Sequence, residues 1–465
     1  MKKPNLLFFG IDSLRSDHMS LYGYNRLTTP NMDKYLSQGA IVFDHCFSPS
    51  IPTTPGYSSM LTGMDCFTTN VVALRHEGEI ADGVKTLAEL LRENGYNTTC
   101  VGFTGNAASK GFDTYLNFEG WNAGADGRAH KAENLNLVAC TEMERLAGDD
   151  KPFFLFLRHM DPHSPYLPPE PFDKIFYQGN EKDPANKSLE PVYTFKPFCD
   201  YFYSWFPEGC TDKDYIVAQY DAEVAYMDVC IQVLLEKLEA MGLKEDTVVV
   251  FTSDHGETLY DHECWFDHHG LYECTLNVPF AIRYEGKTGT ARRADICQLK
   301  DVMPTILDVM GLPCDIDFDG RNLMKWIRGE DLDQECEMYL TECTWMRKHG
   351  WRTPEWKLMV ALEPDFHYKP EIELYNLVLD PQEQHNVAAD NPETVTYLRD
   401  RMLAHVARRM TAVGHENPID TNLNWHGQGC GAFKTSDQAY NTLHIGDPAA
   451  ARRLQADRDT SAKQD

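Results

Sequence analysis

Residues 6–11, Leu-Leu-Phe-Phe-Gly-Ile, form a continuous apolar run that Asp12 follows directly. Two further runs have the same character, Phe-Phe-Leu-Phe-Leu at residues 153–157 and Val-Val-Val-Phe-Thr at residues 248–252. Short apolar runs without alternation are typical of strands that are buried on both faces of a mainly parallel sheet. The sequence therefore predicts an α/β domain, with a large mixed, mainly parallel sheet sandwiched by helices.

Polar residues that can bind metals follow each of the three runs. Asp12 follows the first, His163 lies shortly after the second, and Asp254 and His255 follow the third. Because ligands of open α/β sheets bind beyond the carboxyl ends of the strands, we expect these side chains to share one site. Two carboxylates and an imidazole form a ligand set for a divalent metal.

Residues 46–63, Cys-Phe-Ser-Pro-Ser-Ile-Pro-Thr-Thr-Pro-Gly-Tyr-Ser-Ser-Met-Leu-Thr-Gly, place Thr53 before a predicted helix. The free backbone N–H groups at the start of a helix favour a bound anion. A threonine hydroxyl is a poor nucleophile at neutral pH, and metal coordination lowers its pKa. Thr53 is thus a candidate metal ligand and a candidate nucleophile.

These segments together resemble the sulfatase family of the alkaline phosphatase superfamily over roughly residues 3–410. The segment at residues 252–257 is similar to the family's second metal segment, and residues 159–166 are similar to its substrate-side histidine segment. The family's nucleophile lies ten residues before the Gly of a Thr-Gly pair. Counting back from Gly63 gives Thr53.

Three departures from the family pattern bear on the chemistry. Thr53 replaces the Cys or Ser that is oxidised to formylglycine, Tyr57 replaces an arginine, and Ser13 replaces the second residue of an Asp-Asp pair. A threonine nucleophile is typical of the superfamily's phosphate-ester and phosphotransfer members. The lost carboxylate favours Zn²⁺ or Mn²⁺ as the divalent metal, with Ca²⁺ as the alternative.

The resemblance also implies roles for residues around the nucleophile. His163 and His268 are expected to contact the ester oxygens or to protonate the leaving group. A second metal or the substrate is expected to involve residues near these, namely Asp267, His269, Ser13 and Tyr57.

The function that the resemblance implies is metal-dependent hydrolysis of a small anionic ester. We expect a phosphodiester or phosphonate monoester to be cleaved through a covalent intermediate on Thr53. Three alternatives remain at this stage: a sulfate-ester hydrolase on the same scaffold, a phosphotransferase, and an inactive binding protein.

Composition limits the partners and the location of the protein. The 465 residues carry a formal net charge of −28, so they lack the basic surface that neutralises nucleic-acid phosphates. The sequence contains neither an apolar stretch of about 18 residues nor a signal-peptide pattern at its start, which predicts a cytoplasmic protein without membrane contact. Single cysteines in apolar runs, such as Cys230 and Cys297, indicate reduced thiols.

The pattern along the chain predicts three parts: a catalytic domain at residues 1–330, a smaller C-terminal α+β domain at 331–412 and an extended tail at 413–465. Within the first part, apolar residues at helical spacing predict a helix at 214–241, and the irregular stretch 167–212 is interpreted as a substrate-facing wall. Strands are expected at 337–344, 356–360 and 373–376, with a helix at 392–407. The tail is interpreted as an oligomerisation arm, which predicts a homo-oligomer.

Overall fold

The three apolar runs become neighbouring strands of a large sheet. A computed structural model describes residues 3–421 apart from residues 75, 77, 196–204, 335, 345, 363–364 and 366. Its strands are β1 (Asn5–Ile11), β2 (Ala40–Phe47), β3 (Ser50–Ile51), β4 (Asn97–Val101), β5 (Thr114–Leu116), β6 (Phe153–His159), β7 (Thr247–Ser253), β8 (Asn277–Tyr284), β9 (Ala291–Gln298), β10 (Met338–Cys343), β11 (Arg347–Arg352), β12 (Trp356–Ala361) and β13 (Ile372–Asn376).

The large sheet is mixed and mainly parallel, which confirms the predicted fold class. Its strand order is β5-β4-β6-β1-β7-β8-β2-β9. Strand β1 pairs in parallel with β6 and β7, and β4 does so with β5 and β6. The exception is β8, which runs antiparallel to both β7 and β2. Every residue of β1 and β7 is buried, as continuous apolar runs require.

Helices cover both faces of this sheet. The helices of the described residues are α1 (Pro30–Leu36), α2 (Thr53–Thr62), α3 (Cys66–Thr69), α4 (Leu87–Glu93), α5 (Lys131–Ala147), α6 (Glu190–Thr194), α7 (Lys213–Ala240), α8 (Glu273–Leu276), α9 (Val302–Val309), α10 (Met324–Ile327), α11 (Pro392–Val413) and α12 (Pro418–Thr421). The apolar residues of α1, α5 and α7 pack on one face, and those of α2, α4 and α9 pack on the other.

Helix α7 confirms the helix predicted at residues 214–241. The buried side of α7 carries Tyr220, Val224 and Ile231, which join the core beneath the sheet. The helix ends before Gly242, whose φ of 71° lies in the left-handed region that glycine adopts without strain.

A second sheet of five strands has the order β13-β12-β11-β10-β3, and α11 packs on it. Three of its strands match the predicted ones within two residues at each end, whereas β11 was missed. Its sequence, Arg-Lys-His-Gly-Trp-Arg, has little apolar character, and Lys348 is buried by pairing with Asp365 at 2.6 Å and Glu373 at 3.1 Å. Charge pairing replaces apolar alternation there, so the strand pattern is absent from the sequence.

One sequence prediction differs from the structure, and several others remain untested. Helix α11 continues to Val413, six residues past its predicted end. The tail from residue 422 and residues 196–204 of the predicted wall lie outside the described residues, so the homo-oligomer stays a prediction. The domain division at residue 330 also stays a prediction. Among the described residues, no helix combines the length and the apolar character needed to cross a bilayer.

The first turn of α2 approaches the end of β7 more closely than a side chain would allow. A Cβ atom built on Gly56 would lie 2.5 Å from the carbonyl oxygen of Asp254. Glycine at this position therefore lets the helix start lie directly against the residues that follow β7. Thr53 is brought beside His255 by this contact.

We predict that Gly56→Ala destabilises the protein by about 1–3 kcal/mol, because the added methyl group overlaps backbone that cannot move away freely. Thermal unfolding followed by circular dichroism measures the effect. Gly148→Ala is the matched control, since a Cβ there would have its nearest neighbours at 3.6 Å. Equal melting temperatures for the two variants would contradict the close-contact interpretation.

Candidate active site

The predicted site residues converge at the carboxyl edge of the large sheet. Asp12 follows β1, and Asp254 and His255 follow β7, so the two segments lie side by side. One ligand atom from each of these three residues lies within 4.8 Å of the others. Thr53, the first residue of α2, completes the group from the other side.

The ring of His255 is oriented by a hydrogen bond to the backbone. Its Nδ1 donates to the carbonyl oxygen of Gly256 at 2.8 Å, which leaves Nε2 without a proton in the neutral ring. Burial lowers the pKa of His255, so the neutral ring is favoured. Nε2 lies 3.2 Å from the Oγ1 atom of Thr53.

This arrangement of atoms fits a bound divalent cation. The bare Nε2 of His255 faces Asp12 Oδ1 at 3.7 Å and Asp254 Oδ2 at 3.4 Å. Asp254 Oδ2 is buried and has no hydrogen-bond partner among the described residues. Burial, followed by the charge of Asp12, raises the pKa of Asp254 well above its usual value. Electron-rich atoms that face one another in a buried space are stabilised by a cation between them.

Ser13 orients two of these ligands. Its backbone N–H donates to Asp254 Oδ1 at 3.3 Å, and its hydroxyl donates to Asp12 Oδ1 at 3.2 Å. Its φ of 62° is unusual for a residue other than glycine and places both donors toward the site. The sequence analysis named Ser13 as a metal or substrate contact, and the structure places it beside the ligands as a hydrogen-bond donor.

Arg158 belongs to this site, although the sequence analysis did not select it. Its guanidinium contacts Asp12 Oδ2 and lies over the ring of Phe103 at 4.8 Å. Burial, the largest single effect, would raise the pKa of Asp12, but the charge of Arg158 together with smaller contributions from three nearby histidines holds that pKa below its usual value. An arginine at the end of the apolar strand β6, in register with Gly10, was the available signal.

Tyr57 lies in the core behind the nucleophile position. Its ring is completely buried and packs against Phe103 at 4.6 Å and Phe156 at 5.9 Å between centroids. The guanidinium of Arg158 lies 5.9 Å from the centre of the Tyr57 ring. In the structure, Tyr57 therefore packs near the guanidinium of Arg158.

His163 and His268 lie above the metal-binding group. Their ring centroids are 5.6 Å apart, and His268 lies 4.8 Å from His255. Burial lowers the pKa of both rings, most strongly for His268. His163 donates from Nδ1 to the carbonyl oxygen of Ser164 at 2.7 Å, so its neutral ring presents an unprotonated Nε2. This state is suited to accepting a proton.

Asp267 and His269 have different neighbours in the structure. Asp267 groups with His268 and with Glu257, a residue that the sequence analysis left without a role. The ring of His269 turns toward the second sheet, where its Nδ1 lies 2.6 Å from the Nε2 of His367. His269 thus connects the site loop to the C-terminal part of the protein.

A cavity of about 480 Å³ opens beside the site, on the β4 and β6 side of the sheet. Arg158 and Phe103 line its inner end, and Asn106 and Trp121 line its walls. The Trp121 ring contacts His163 edge-on, with centroids 5.6 Å apart. The cavity therefore reaches Arg158 directly, and Trp121 separates it from His163.

The family model described as Sulfatase matches residues 4–312, and a model described as N-sulphoglucosamine sulphohydrolase, C-terminal, matches residues 261–409. The chain is 26% identical to an N-acetylglucosamine-6-O-sulfatase of Bacteroides thetaiotaomicron, with 83% of each protein covered. It is 24% identical to the iduronate 2-sulfatase of Mus musculus, with 72% of this chain and 76% of that protein covered.

Among solved structures, the phosphonate monoester hydrolase of Agrobacterium radiobacter superimposes with a TM-score of 0.71 at 20% identity, covering 88% of this chain and 96% of that one. This likeness shows the shared fold. The family match extends over more than half of the chain and includes the strands and ligands of the site. The protein is therefore a member of the sulfatase family, a hydrolase of the alkaline phosphatase-like superfamily.

Proposed function

We propose that the protein hydrolyses a phosphodiester or a phosphonate monoester, with Thr53 as the covalent nucleophile. One observation carries the proposal: the oxygen of Thr53, which the sequence resemblance assigns to the family's nucleophile position, lies 3.2 Å from His255 Nε2. Threonine cannot form formylglycine by the Cys or Ser route, so its own hydroxyl is the group available for attack.

The chain's residues supply a positioned nucleophile. Thr53 begins a ten-residue helix, and the free backbone N–H groups of that first turn favour a negatively charged substrate. A divalent metal, Zn²⁺ or Mn²⁺, bound by Asp12, Asp254, His255 and Thr53 would supply the charge that lowers the pKa of the hydroxyl.

Reaction proceeds by in-line displacement. The Thr53 oxygen forms a bond to phosphorus as the bond to the leaving-group oxygen breaks. Water then cleaves the phosphothreonine and restores the hydroxyl. In its neutral form His163 accepts the hydroxyl proton and passes it to the leaving group. Arg158, which is permanently charged, binds the non-bridging oxygens in addition to the predicted contacts of His163 and His268.

A second candidate function is sulfate-ester hydrolysis, which the names of the relatives favour. The two curated relatives described above are both named as sulfatases. Sulfate esters have the same tetrahedral shape and the same anionic oxygens, so Arg158 and the helix start would accept either group. The nucleophile separates the two candidates, because formylglycine requires a Cys or Ser at residue 53.

We predict that the purified protein hydrolyses aryl phosphodiesters or phosphonate monoesters with a higher kcat/KM than aryl sulfates. An assay of matched p-nitrophenyl esters measures this directly, since the leaving group is constant. Peptide mapping of residues 46–63 should give an unmodified threonine. A preference for the sulfate would favour the second candidate.

We predict that Thr53→Ala abolishes turnover, with a loss that can reach about a million-fold, as for the removal of other nucleophiles. Thr53→Ser should retain measurable activity because it keeps the hydroxyl. Rapid acid quenching of the wild-type reaction should trap a phosphorylated residue 53.

Thr54→Ala is the matched control, since the Thr54 hydroxyl instead donates to the backbone oxygen of Leu74 at 2.6 Å. If folded Thr53→Ala turned over near the wild-type rate, water would be the attacking group and the assignment of Thr53 would be wrong.

We predict that Arg158→Ala lowers kcat/KM by about 10²- to 10³-fold, in line with the loss of a donor that stabilises transition-state charge. Arg158→Lys should recover part of this loss because the charge is kept without the planar fork. Arg145→Ala, which removes a half-exposed arginine paired with Glu142 on α5, should leave kcat/KM unchanged. Equal activity of Arg158→Ala and Arg145→Ala would exclude substrate binding by Arg158.

A further inference from the structure

Glu257, Asp267 and His268 form a second group of potential metal ligands beside the first. One carboxylate or imidazole atom from each lies within 4.8 Å of the others. None of the three belongs to the group of Asp12, Asp254 and His255. The rings of His255 and His268, one from each group, have centroids 4.8 Å apart, so the two groups are adjacent.

A local hairpin brings these residues together. Thr258 and Asp267 form an antiparallel bridge, with hydrogen bonds of 2.7 Å and 3.2 Å in the two directions. The bridge therefore places Glu257 beside Asp267 and His268, although the two carboxylates lie ten positions apart in the sequence.

Each carboxylate has one oxygen in a hydrogen bond and a second oxygen without one, although Asp267 Oδ2 also lies 3.7 Å from His269 Nε2. Tyr166 donates to Glu257 Oε1 at 2.9 Å, and the backbone N–H of His268 donates to Asp267 Oδ1 at 2.8 Å. Glu257 Oε2 and Asp267 Oδ2 are buried without hydrogen-bond partners in the described part of the chain. Glu257 is 1% exposed, which leaves bulk water unable to solvate its free oxygen.

The charges around the two groups are unbalanced. Together they contain four buried carboxylates, those of Asp12, Asp254, Glu257 and Asp267. Arg158 pairs with Asp12. Arg15 reaches the backbone oxygen of Glu257, but its guanidinium already forms ion pairs with two other carboxylates, Asp17 and Asp261. One divalent cation and Arg158 would leave one of the four negative charges uncompensated.

We propose that Glu257, Asp267 and His268 bind a second divalent metal, of the Zn²⁺ or Mn²⁺ class, next to the metal of the first group. Two carboxylate oxygens and one imidazole nitrogen are a common ligand set for these ions. Adjacent metal pairs bind both the attacking and the leaving oxygen in phosphoryl transfer. A second metal here would therefore assist the reaction of the proposed function, on which this part of the inference rests. Metal binding by this group does not require Thr53 to be the nucleophile.

Metal stoichiometry of the full-length protein tests the proposal. The protein is stripped with a chelator, reloaded with Mn²⁺ or Zn²⁺, passed through a desalting column and measured by elemental analysis, with calorimetry for the affinities. We expect about two ions per wild-type chain and about one for Glu257→Gln and for Asp267→Asn. Asp254→Asn should also lose one ion, from the other group.

Glu263→Gln is the matched control, because Glu263 lies in the same loop but its side chain is 58% exposed. This variant should keep both ions. Saturation of the wild-type chain at one ion, or two ions retained by folded Glu257→Gln, would overturn the proposal, and the wild-type count needs no variant to fold. Thr53→Ala should still bind two ions even if a different nucleophile is found, which separates this test from that of the proposed function.

Discussion

The structure depends on the burial of four carboxylates at one edge of a parallel sheet. Desolvation of each charge costs several kcal/mol unless a counter-charge lies beside it. The fold supplies Arg158 at one side and hydrogen-bond acceptor atoms at the other. Among these, Asp254 Oδ2 has no hydrogen-bond partner in the described residues and His255 Nε2 is unprotonated. The neighbouring groups are arranged around this need for positive charge.

Thr53 is positioned by both sheets rather than by the large one alone. Strand β3, just before Thr53, pairs with β10 of the second sheet, and the hydroxyl of Thr341 donates to that of Ser50 at 2.9 Å. On its other side, Gly56 lets α2 lie against the backbone of Asp254. Thr53 is thus fixed between two sheets, which gives the C-terminal part a direct role in the geometry of the site.

Two positions at which the sequence departs from the family pattern, Tyr57 and Ser13, have defined contacts at the site. Tyr57 fills the core where the family has an arginine, and Arg158 approaches from β6 to contact Asp12. Ser13 supplies hydrogen bonds in place of a carboxylate. Glu257 and Asp267 add two further buried carboxylates, which group with His268. Both signs of charge at the site therefore come from several separate segments of the chain.

The sequence by itself determined β1, β6, β7 and α7, because each has a continuous run or period of buried apolar residues that is visible locally. It also identified Asp12, Asp254 and His255, since residues that follow parallel strands must meet at one edge. These predictions required only short segments and one rule of sheet topology.

Tertiary structure alone decided the remaining features. Arg158 pairs with Asp12, a residue 146 positions away. Glu257 lies beside Asp267 because of a hairpin that has no recognisable sequence pattern. Strand β11 is buried through ion pairs of Lys348 with residues outside the strand. Two of these features depend on ion pairs between residues distant in sequence and one on a backbone bridge, whereas sequence patterns report the burial of apolar side chains along one local element.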